Sequence, residues 1–94
     1  MPRRKGAVDR ATWRALSLAC ATRDNFRCVV CLRHPARGVQ AHHIVPRSQG
    51  GPDRLENLVS VCVEHHRIMD AGGWKGWRAQ FEAYTRRASQ AARG

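Results

Sequence analysis

The chain begins and ends with segments whose apolar residues recur at helical spacing. Near the start, Trp13, Leu16 and Cys20 stand three and four residues apart, which predicts a helix with one buried stripe over residues 9–22. Near the end, aromatic residues at the same spacing predict an amphipathic helix over residues 74–92. This second stripe is interpreted as core, with a dimer face or a base-stacking platform as alternatives. Its members are Trp74, Trp77, Phe81 and Tyr84.

Between these helices the pattern changes to short apolar runs bounded by turn residues. Residues 39–45 predict a strand that ends at Pro46, and residues 58–61 predict a second, strongly apolar strand. A helix over residues 62–70 follows, and two glycines stop it. The predicted order is helix, knuckle, strand, loop, strand, helix, helix.

Three acidic residues have local interpretations. Asp9 is expected to cap the first helix, with Thr12 as the alternative cap. Asp24, followed by Asn25, indicates a turn after that helix. Asp53 is expected to cap a brief helical turn in the loop between the strands.

The charge of the chain favours a polyanionic partner. Its 94 residues include 17 Lys and Arg against 7 Asp and Glu, a formal net charge of +10, and basic residues recur along the whole length. DNA or RNA is therefore the first expectation and an anionic membrane surface the second, although a merely soluble basic protein has the same composition. The length predicts a single domain over residues 9–94, preceded by a flexible basic arm over residues 1–8.

No apolar run approaches the roughly 20 residues that a membrane span needs, so no membrane-spanning segment is expected. Of the two polyanionic partners, nucleic acid is the prediction and a membrane is not. A polar helix rather than an apolar signal core follows the basic start of the chain. We therefore expect an intracellular, cytoplasmic protein. In a reducing compartment, paired cysteines indicate metal ligands rather than disulfides.

Four side chains have the spacing of a tetrahedral zinc site. Cys28 and Cys31 are separated by two residues on the knuckle, residues 26–32, and Cys62 and His65 have the same separation at the start of a helix. We assign these four to one structural Zn²⁺, with buried free cysteines as the alternative. The 30 residues between the two pairs exclude a simple C2H2 finger, where the gap is about 12–15 residues. Cys20 is expected to pack in the core, with a ligand role in place of His65 as its alternative.

Apart from His34, which stands in a predicted turn, three histidines and an asparagine remain once the zinc site is filled: His42, His43, His66 and Asn57. Neighbouring residues project about 100° apart on a helix and to opposite faces on a strand, so adjacent histidines are expected to do different jobs. Hydrolysis of a phosphodiester needs a base for water and a cation for the charge that grows on the phosphoryl oxygens. Neutral imidazole can serve either purpose.

Five separated pieces of the central segment, residues 23–69, occur in the order of a known family. They are Cys28-x2-Cys31, Ala41-His42-His43-Ile44-Val45-Pro46, Gly50-Gly51, Leu55-Glu56-Asn57-Leu58-Val59 and Cys62-x2-His65-His66. Together they resemble the HNH endonucleases, in particular the small zinc-stabilised ones of bacteria and phages. The resemblance implies an α+β chain with a ββα-metal fold, a structural zinc knuckle and flanking N- and C-terminal helices.

The resemblance also implies metal-dependent cleavage of DNA, with a role for each leftover residue. His43 matches the general base, and Asn57 matches the asparagine that braces the loop and orients the base; a simple turn residue is the alternative for Asn57. His42 and His66 match the ligands of one catalytic divalent ion, which is Mg²⁺, Mn²⁺, Ni²⁺ or Zn²⁺. The family usually has Cys-x2-Cys-His where this chain has a cysteine and two histidines. The division of labour between His65 and His66 therefore stays open.

The expected activity is nicking or double-strand cleavage of weak sequence specificity, with affinity dominated by phosphate contacts. Arg47, Arg54 and Arg67 flank the site, either to contact phosphates or as solvated surface arginines. One alternative function is a non-catalytic, zinc-stabilised nucleic-acid-binding module. Another is an accessory nuclease subunit of a phage DNA-packaging complex. Charge alone also admits an RNA target, and the sequence does not determine the oligomeric state.

Overall fold

The first helix forms where the sequence predicts it. In a computed structural model of the chain, which describes residues 6–93 and their side chains as far as residue 91, helix α1 spans Arg10–Arg23. Asp9 is its N-cap, and its carboxylate accepts a hydrogen bond of 2.8 Å from the amide of Thr12. This bond satisfies one of the amides that the start of a helix leaves unpaired. Residues 1–5 of the predicted basic arm lie outside the described residues.

Two short antiparallel strands lie at the centre of the fold. Strand β1 spans Gln40–His43 and strand β2 spans Leu58–Val61, in a register that pairs His42 with Val59. All four residues of β2 are buried because α1 and α3 both pack against this strand. A strand covered on both faces is apolar throughout, which explains the strong sequence signal for β2.

Two helices follow the hairpin. Helix α2 spans Val63–Ile68 and helix α3 spans Trp74–Arg93, joined by a widened turn at Met69–Gly73. Gly72 adopts a φ of 108°, which favours glycine. Helix α2 is therefore shorter than the predicted helix over residues 62–70. Within the described residues, no helix is long and apolar enough to cross a membrane.

The core lies between the hairpin, the knuckle and α3. Phe81 is buried, and the other three aromatic residues of the stripe on α3 pack half-buried against the core, which confirms that interpretation of the stripe. The buried residues of this core are Cys28, Ile44, Val59, Val61, Cys62, Met69 and Phe81. The architecture is α+β, as expected.

Asp24 was expected to lie in a simple turn, but it is buried and joins α1 to the rest of the fold. Its carboxylate accepts hydrogen bonds from Arg23 at 2.8 and 2.9 Å, from the Ser60 amide at 2.9 Å and from the Tyr84 hydroxyl. Burial by itself would raise the pKa of Asp24, but the bonds from Arg23 and Tyr84 hold that pKa below its ordinary value. One carboxylate therefore connects α1, β2 and α3.

Candidate active site and metal centres

The two predicted half-sites of the zinc cluster meet in space. The ligand atoms of Cys28, Cys31, Cys62 and His65 all lie within 4.8 Å of one another. His65 Nδ1 lies 3.1 Å from the Sγ atom of Cys62 and 3.5 Å from that of Cys28. A compact set of three thiols and one imidazole suits a structural zinc ion. Cys20 lies apart from this cluster, buried with its Sγ atom 3.4 Å from Ser60 Oγ.

The local surroundings shift the pKa values of two of these thiols in opposite directions. Burial by itself raises the pKa of Cys28, but backbone hydrogen bonds from Cys31, Cys62 and Val30 bring it down to about 7. Burial, with contributions from Glu64 and Cys28, raises the pKa of Cys62 to about 11. Cys28 therefore loses its proton more readily than Cys62, and metal binding would displace the proton of Cys62.

A second set of metal-ligating atoms lies where β1 faces His66, the second histidine of α2. The ligand atoms of His42, His66 and Asp70 also lie within 4.8 Å of one another. His66 Nδ1 lies 3.0 Å from Asp70 Oδ2, one helical turn later, and His42 Nδ1 lies 4.0 Å from Asp70 Oδ1. The two imidazole rings meet edge to face at 5.2 Å. His65 and His66 thus belong to different clusters in this structure.

His42 is suited to hold a cation. Its Nε2 atom is buried and has no hydrogen-bond partner within the described part of the chain. Burial, followed by the nearby His66, lowers the pKa of His42 to about 4, so the ring stays neutral and keeps a lone pair at neutral pH. An unsatisfied buried nitrogen is unfavourable by about 1–3 kcal/mol, so His42 has an unmet capacity to bind a further group. Two imidazoles and a carboxylate form a donor set that fits a divalent cation.

His43 is held by a different group of side chains. Its Nε2 atom lies 2.8 Å from Asp53 Oδ1, and its ring stacks on Trp13 with centroids 5.3 Å apart and planes 1° apart. Arg47 Nε donates to the same oxygen of Asp53 at 3.3 Å. The Arg47 guanidinium also lies 4.8 Å from the centroid of the Trp13 ring. These four side chains form a closed ring of contacts.

Asn57 braces the loop that leads away from β1. Its Oδ1 atom accepts from the amide of Val45 at 2.9 Å, and its Nδ2 atom donates to the carbonyl oxygens of Val45 at 3.1 Å and Pro52 at 3.0 Å. The backbone carbonyl of Asn57 accepts from the amide of Ile44 at 2.8 Å. Because the amide of Val45 bonds to the side chain of Asn57 rather than to a backbone carbonyl, β1 is shorter than the predicted strand over residues 39–45.

All three leftover histidines line one cavity of about 550 Å³. His42 and His43 diverge along β1, as adjacent strand residues do, yet both reach this space. His66 and Asp70 line it from α2 and the turn that follows. The candidate base and the candidate ion ligands therefore open onto the same space.

The three candidate arginines lie in different places. Arg47 lines the cavity, and its side chain is 51% exposed. Arg67 is exposed beside a cleft that runs along the zinc cluster, and Arg54 is exposed on the loop before β2. Of the three, Arg47 is the one that the fold brings beside the histidines.

The sequence did not indicate a site role for three of these residues, and only one of the three has a recognisable spacing along the chain. Asp70 follows His66 by four residues, and this spacing places side chains on one face of a helix. Trp13 was assigned to the core stripe of α1. Asp53 was expected to cap a helical turn, but Arg54 takes the N-cap position of the short helix Leu55–Asn57 and makes no side-chain capping bond. No local spacing connects Asp53 with His43.

The order of elements and the two ligand clusters by themselves indicate the class of fold. A hairpin followed by a helix, with a cysteine–histidine cluster at the start of that helix, is consistent with the expected ββα-metal fold and its zinc site. Residues 28–69 match the family model described as HNH endonuclease. The predicted resemblance to the HNH endonucleases is confirmed over this segment of the chain.

Similar curated proteins include one from a phage and one from a bacterium. A probable mobile endonuclease C of Enterobacteria phage T4 is 47% identical over 34 residues, which are 36% of this chain and 16% of the phage protein. Anaredoxin of Nostoc sp. is 27% identical over 52 residues, which are 55% of this chain and 67% of that protein. The matched part of the chain thus spans about a sixth of the phage protein's length. No solved structure matches the chain.

Proposed function

We propose that this protein is a metal-dependent endonuclease that hydrolyses DNA phosphodiester bonds with weak sequence specificity, by nicking or double-strand cleavage. The observation that carries the proposal is the shared cavity, in which His43 lies beside the candidate ion ligands His42, His66 and Asp70. The match of residues 28–69 to the HNH endonuclease model and the net charge of +10 support DNA as the substrate. The described residues show no separate recognition module, and the affinity is expected to depend strongly on salt.

His43 is the proposed general base. It accepts a proton from water, and the resulting hydroxide attacks phosphorus in line with the leaving 3′ oxygen. A positioned base of this kind contributes roughly 10²–10⁴-fold to a rate. Arg47, half exposed at the edge of the cavity, is placed to contact a phosphate oxygen. Asn57 supports the base indirectly, since it holds the loop on which Asp53 sits.

His42, His66 and Asp70 would hold one divalent ion. When bound, the ion supplies positive charge for the phosphoryl oxygens and the leaving oxygen. Asp70 adds a carboxylate to the two imidazoles that the sequence indicated, and carboxylate oxygen is a preferred ligand of Mg²⁺ and Mn²⁺. Its side chain is 63% exposed, which leaves this side of the site open to substrate.

The cluster of Cys28, Cys31, Cys62 and His65 is the proposed structural zinc site. It ties the knuckle to the start of α2, and α2 carries His66 into the cavity. A chain of this size buries a modest core, so a metal crosslink would contribute directly to folding.

A plasmid-nicking assay tests the proposal. Zinc-loaded protein is incubated with supercoiled plasmid in Mg²⁺, Mn²⁺, Ni²⁺, added Zn²⁺ or EDTA, and cleavage is expected with at least one divalent ion and not with EDTA. His43→Ala should abolish cleavage without loss of zinc. His34→Ala, which removes an exposed histidine outside the cavity, is the matched control and should cleave normally.

Each other outcome has its own meaning. Undiminished cleavage by His43→Ala would contradict the assignment of the base. Salt-dependent DNA binding without cleavage in any of the four ions would point to the non-catalytic binding module. Weak cleavage that becomes strong only with a second phage protein would point to the accessory subunit.

A further inference from the structure

We infer that Asp53 is the positioning residue for His43, in that its carboxylate determines which ring nitrogen carries the proton. This inference rests on the proposed function only for its effect on catalysis, since the contact itself does not depend on the reaction. The family motifs named above do not include Asp53, and its sequence position suggested only a helix cap.

The direction of the hydrogen bond follows from the partners of the carboxylate. Asp53 is buried, with 3% of its side chain exposed. Its Oδ1 atom accepts a hydrogen bond from Arg47 Nε, and its Oδ2 atom accepts one of 3.3 Å from the amide of Val8. A carboxylate surrounded by donors acts as an acceptor. The 2.8 Å bond therefore has His43 Nε2 as its donor. In a neutral imidazole only one nitrogen carries a proton, so Nδ1 becomes the basic nitrogen.

A second contact orients the plane of the same ring. Trp13, on α1, stacks on His43 with the planes only 1° apart. A hydrogen bond at Nε2 leaves the ring able to rotate about that bond, and a parallel neighbour restricts this rotation. The two contacts together define both the tautomer and the plane, which a general base needs in order to meet a substrate water reproducibly.

Both polar groups of the peptide bond that precedes Asp53 are held by hydrogen bonds. Its amide donates to the carbonyl of Gly6 at 2.9 Å, and Asn57 Nδ2 holds the carbonyl of the preceding Pro52. Asp53 belongs to neither ligand cluster. A change at Asp53 should therefore alter the behaviour of His43 and leave metal binding intact.

Asp53→Asn is the informative variant. The amide group of Asn can present its NH₂ to Nε2 and so favour the opposite tautomer, the effect known for the aspartate of serine-protease triads. We expect a single-turnover cleavage rate lower by on the order of 10²-fold, within the roughly 10²–10⁴-fold that a positioned base supplies. KM for plasmid, zinc content and divalent-ion affinity should stay unchanged. Glu82→Gln is the charge-matched control, because it removes one carboxylate from a surface pair with Arg78.

The ¹⁵N chemical shifts of the His43 ring give a readout that does not depend on activity. They are measured on the zinc-loaded full chain in Mg²⁺, above the ordinary histidine pKa of about 6.5. In the wild-type protein we expect a protonated Nε2 and an unprotonated Nδ1. In Asp53→Asn the proton should shift towards Nδ1, whereas in Glu82→Gln the wild-type pattern should remain.

Failure of this inference and failure of the proposed function look different. If the wild-type protein does not cleave DNA, the proposed function is wrong, and the ring shifts still decide whether Asp53 sets the tautomer. Suppose that the wild-type protein cleaves DNA. If Asp53→Asn then cleaves as fast as wild type, or cleaves more slowly with an unchanged His43 tautomer, Asp53 does not position His43. Should Asp53→Asn fail to fold, an Nδ1-protonated ring in the wild-type protein would by itself overturn the inference.

Discussion

Replacing Asp24 by Asn is expected to destabilise the protein strongly, although Asp24 belongs to neither ligand cluster. The substitution keeps the size of the side chain and removes its charge. Arg23 then loses its counter-ion while it stays largely buried, with 14% of its side chain exposed. The surrounding fold holds Arg23 in place, because the guanidinium also donates to the carbonyls of Leu55 at 2.9 Å and Leu58 at 2.6 Å.

The magnitude follows from the burial of the pair. Removing one partner of a buried ion pair costs about 3–5 kcal/mol, because the remaining charge has neither water nor a counter-ion. The residual exposure of Arg23 and its two carbonyl acceptors place the expected loss near the lower end, at about 3 kcal/mol. The total free energy of unfolding of a domain is about 5–15 kcal/mol, so this loss is a large fraction of it.

Urea unfolding with saturating zinc measures the effect. The midpoint should fall with an unchanged slope, since the substitution alters stability rather than the surface exposed on unfolding. Glu82→Gln breaks the exposed pair with Arg78, whose side chains are 51% and 44% exposed, and should change the free energy of unfolding by less than about 0.5 kcal/mol. A loss below about 1 kcal/mol for Asp24→Asn would refute the view that this carboxylate joins α1 to the core.

The pH dependence of that difference has a definite sign. The pKa of Asp24 is lowered in the folded state relative to its unfolded value of about 3.9. Its contribution is therefore fully present above the unfolded pKa and is lost as the pH falls through the folded pKa. The free-energy difference between wild type and Asp24→Asn should stay constant from about pH 7 to pH 5 and shrink only below about pH 4.

Three further predictions concern the loop and the two ligand clusters. Gly51→Ala would place its Cβ atom 1.7 Å from the backbone carbonyl oxygen of Val45, so the free energy of unfolding in urea should fall by more than about 2 kcal/mol. Gly76→Ala is the control: it has open space around it on α3, and the free energy of unfolding should rise by about 0.5–1 kcal/mol. Cys31→Ala should lose the structural zinc in a metal analysis, and Cys20→Ala should retain it; the reverse result would reassign the site. Asp70→Asn should weaken Mn²⁺ binding at least about tenfold in a calorimetric titration, and an unchanged isotherm would remove Asp70 from the ligand set.

Local patterns in the sequence were sufficient for most of the secondary structure. The limits of α1 and α3 agree with prediction to within a residue or so, and β2 agrees in full, because helical periodicity, capping residues and continuous apolar runs act over a few neighbours. The limits of β1 were wrong because Asn57, twelve residues further along the chain, draws the end of that strand away from the ladder. The shortened α2 likewise reflects a turn that widens around Gly72.

The same distinction separates the two ligand clusters from the surroundings of His43. Chelating pairs lie two residues apart on a knuckle or at the start of a helix, so spacing alone identified the zinc cluster and the leftover histidines. Spacing could not divide the adjacent His65 and His66. The fold did so, since the direction of α2 turns one towards the cysteines and the other towards His42.

By itself, the sequence determined the order of elements, the two chelating pairs without the choice between His65 and His66, and the presence of surplus histidines, because each depends on residues that are close along the chain. Only the tertiary structure decided that Asp53 contacts His43, that Trp13 stacks on it and that Asp24 is buried. These contacts join residues 10, 30 and 36 positions apart, and their formation depends on how α1 and the loop return to the hairpin. Such a return is a property of packing, since burial of the whole core selects it and no local pattern encodes it.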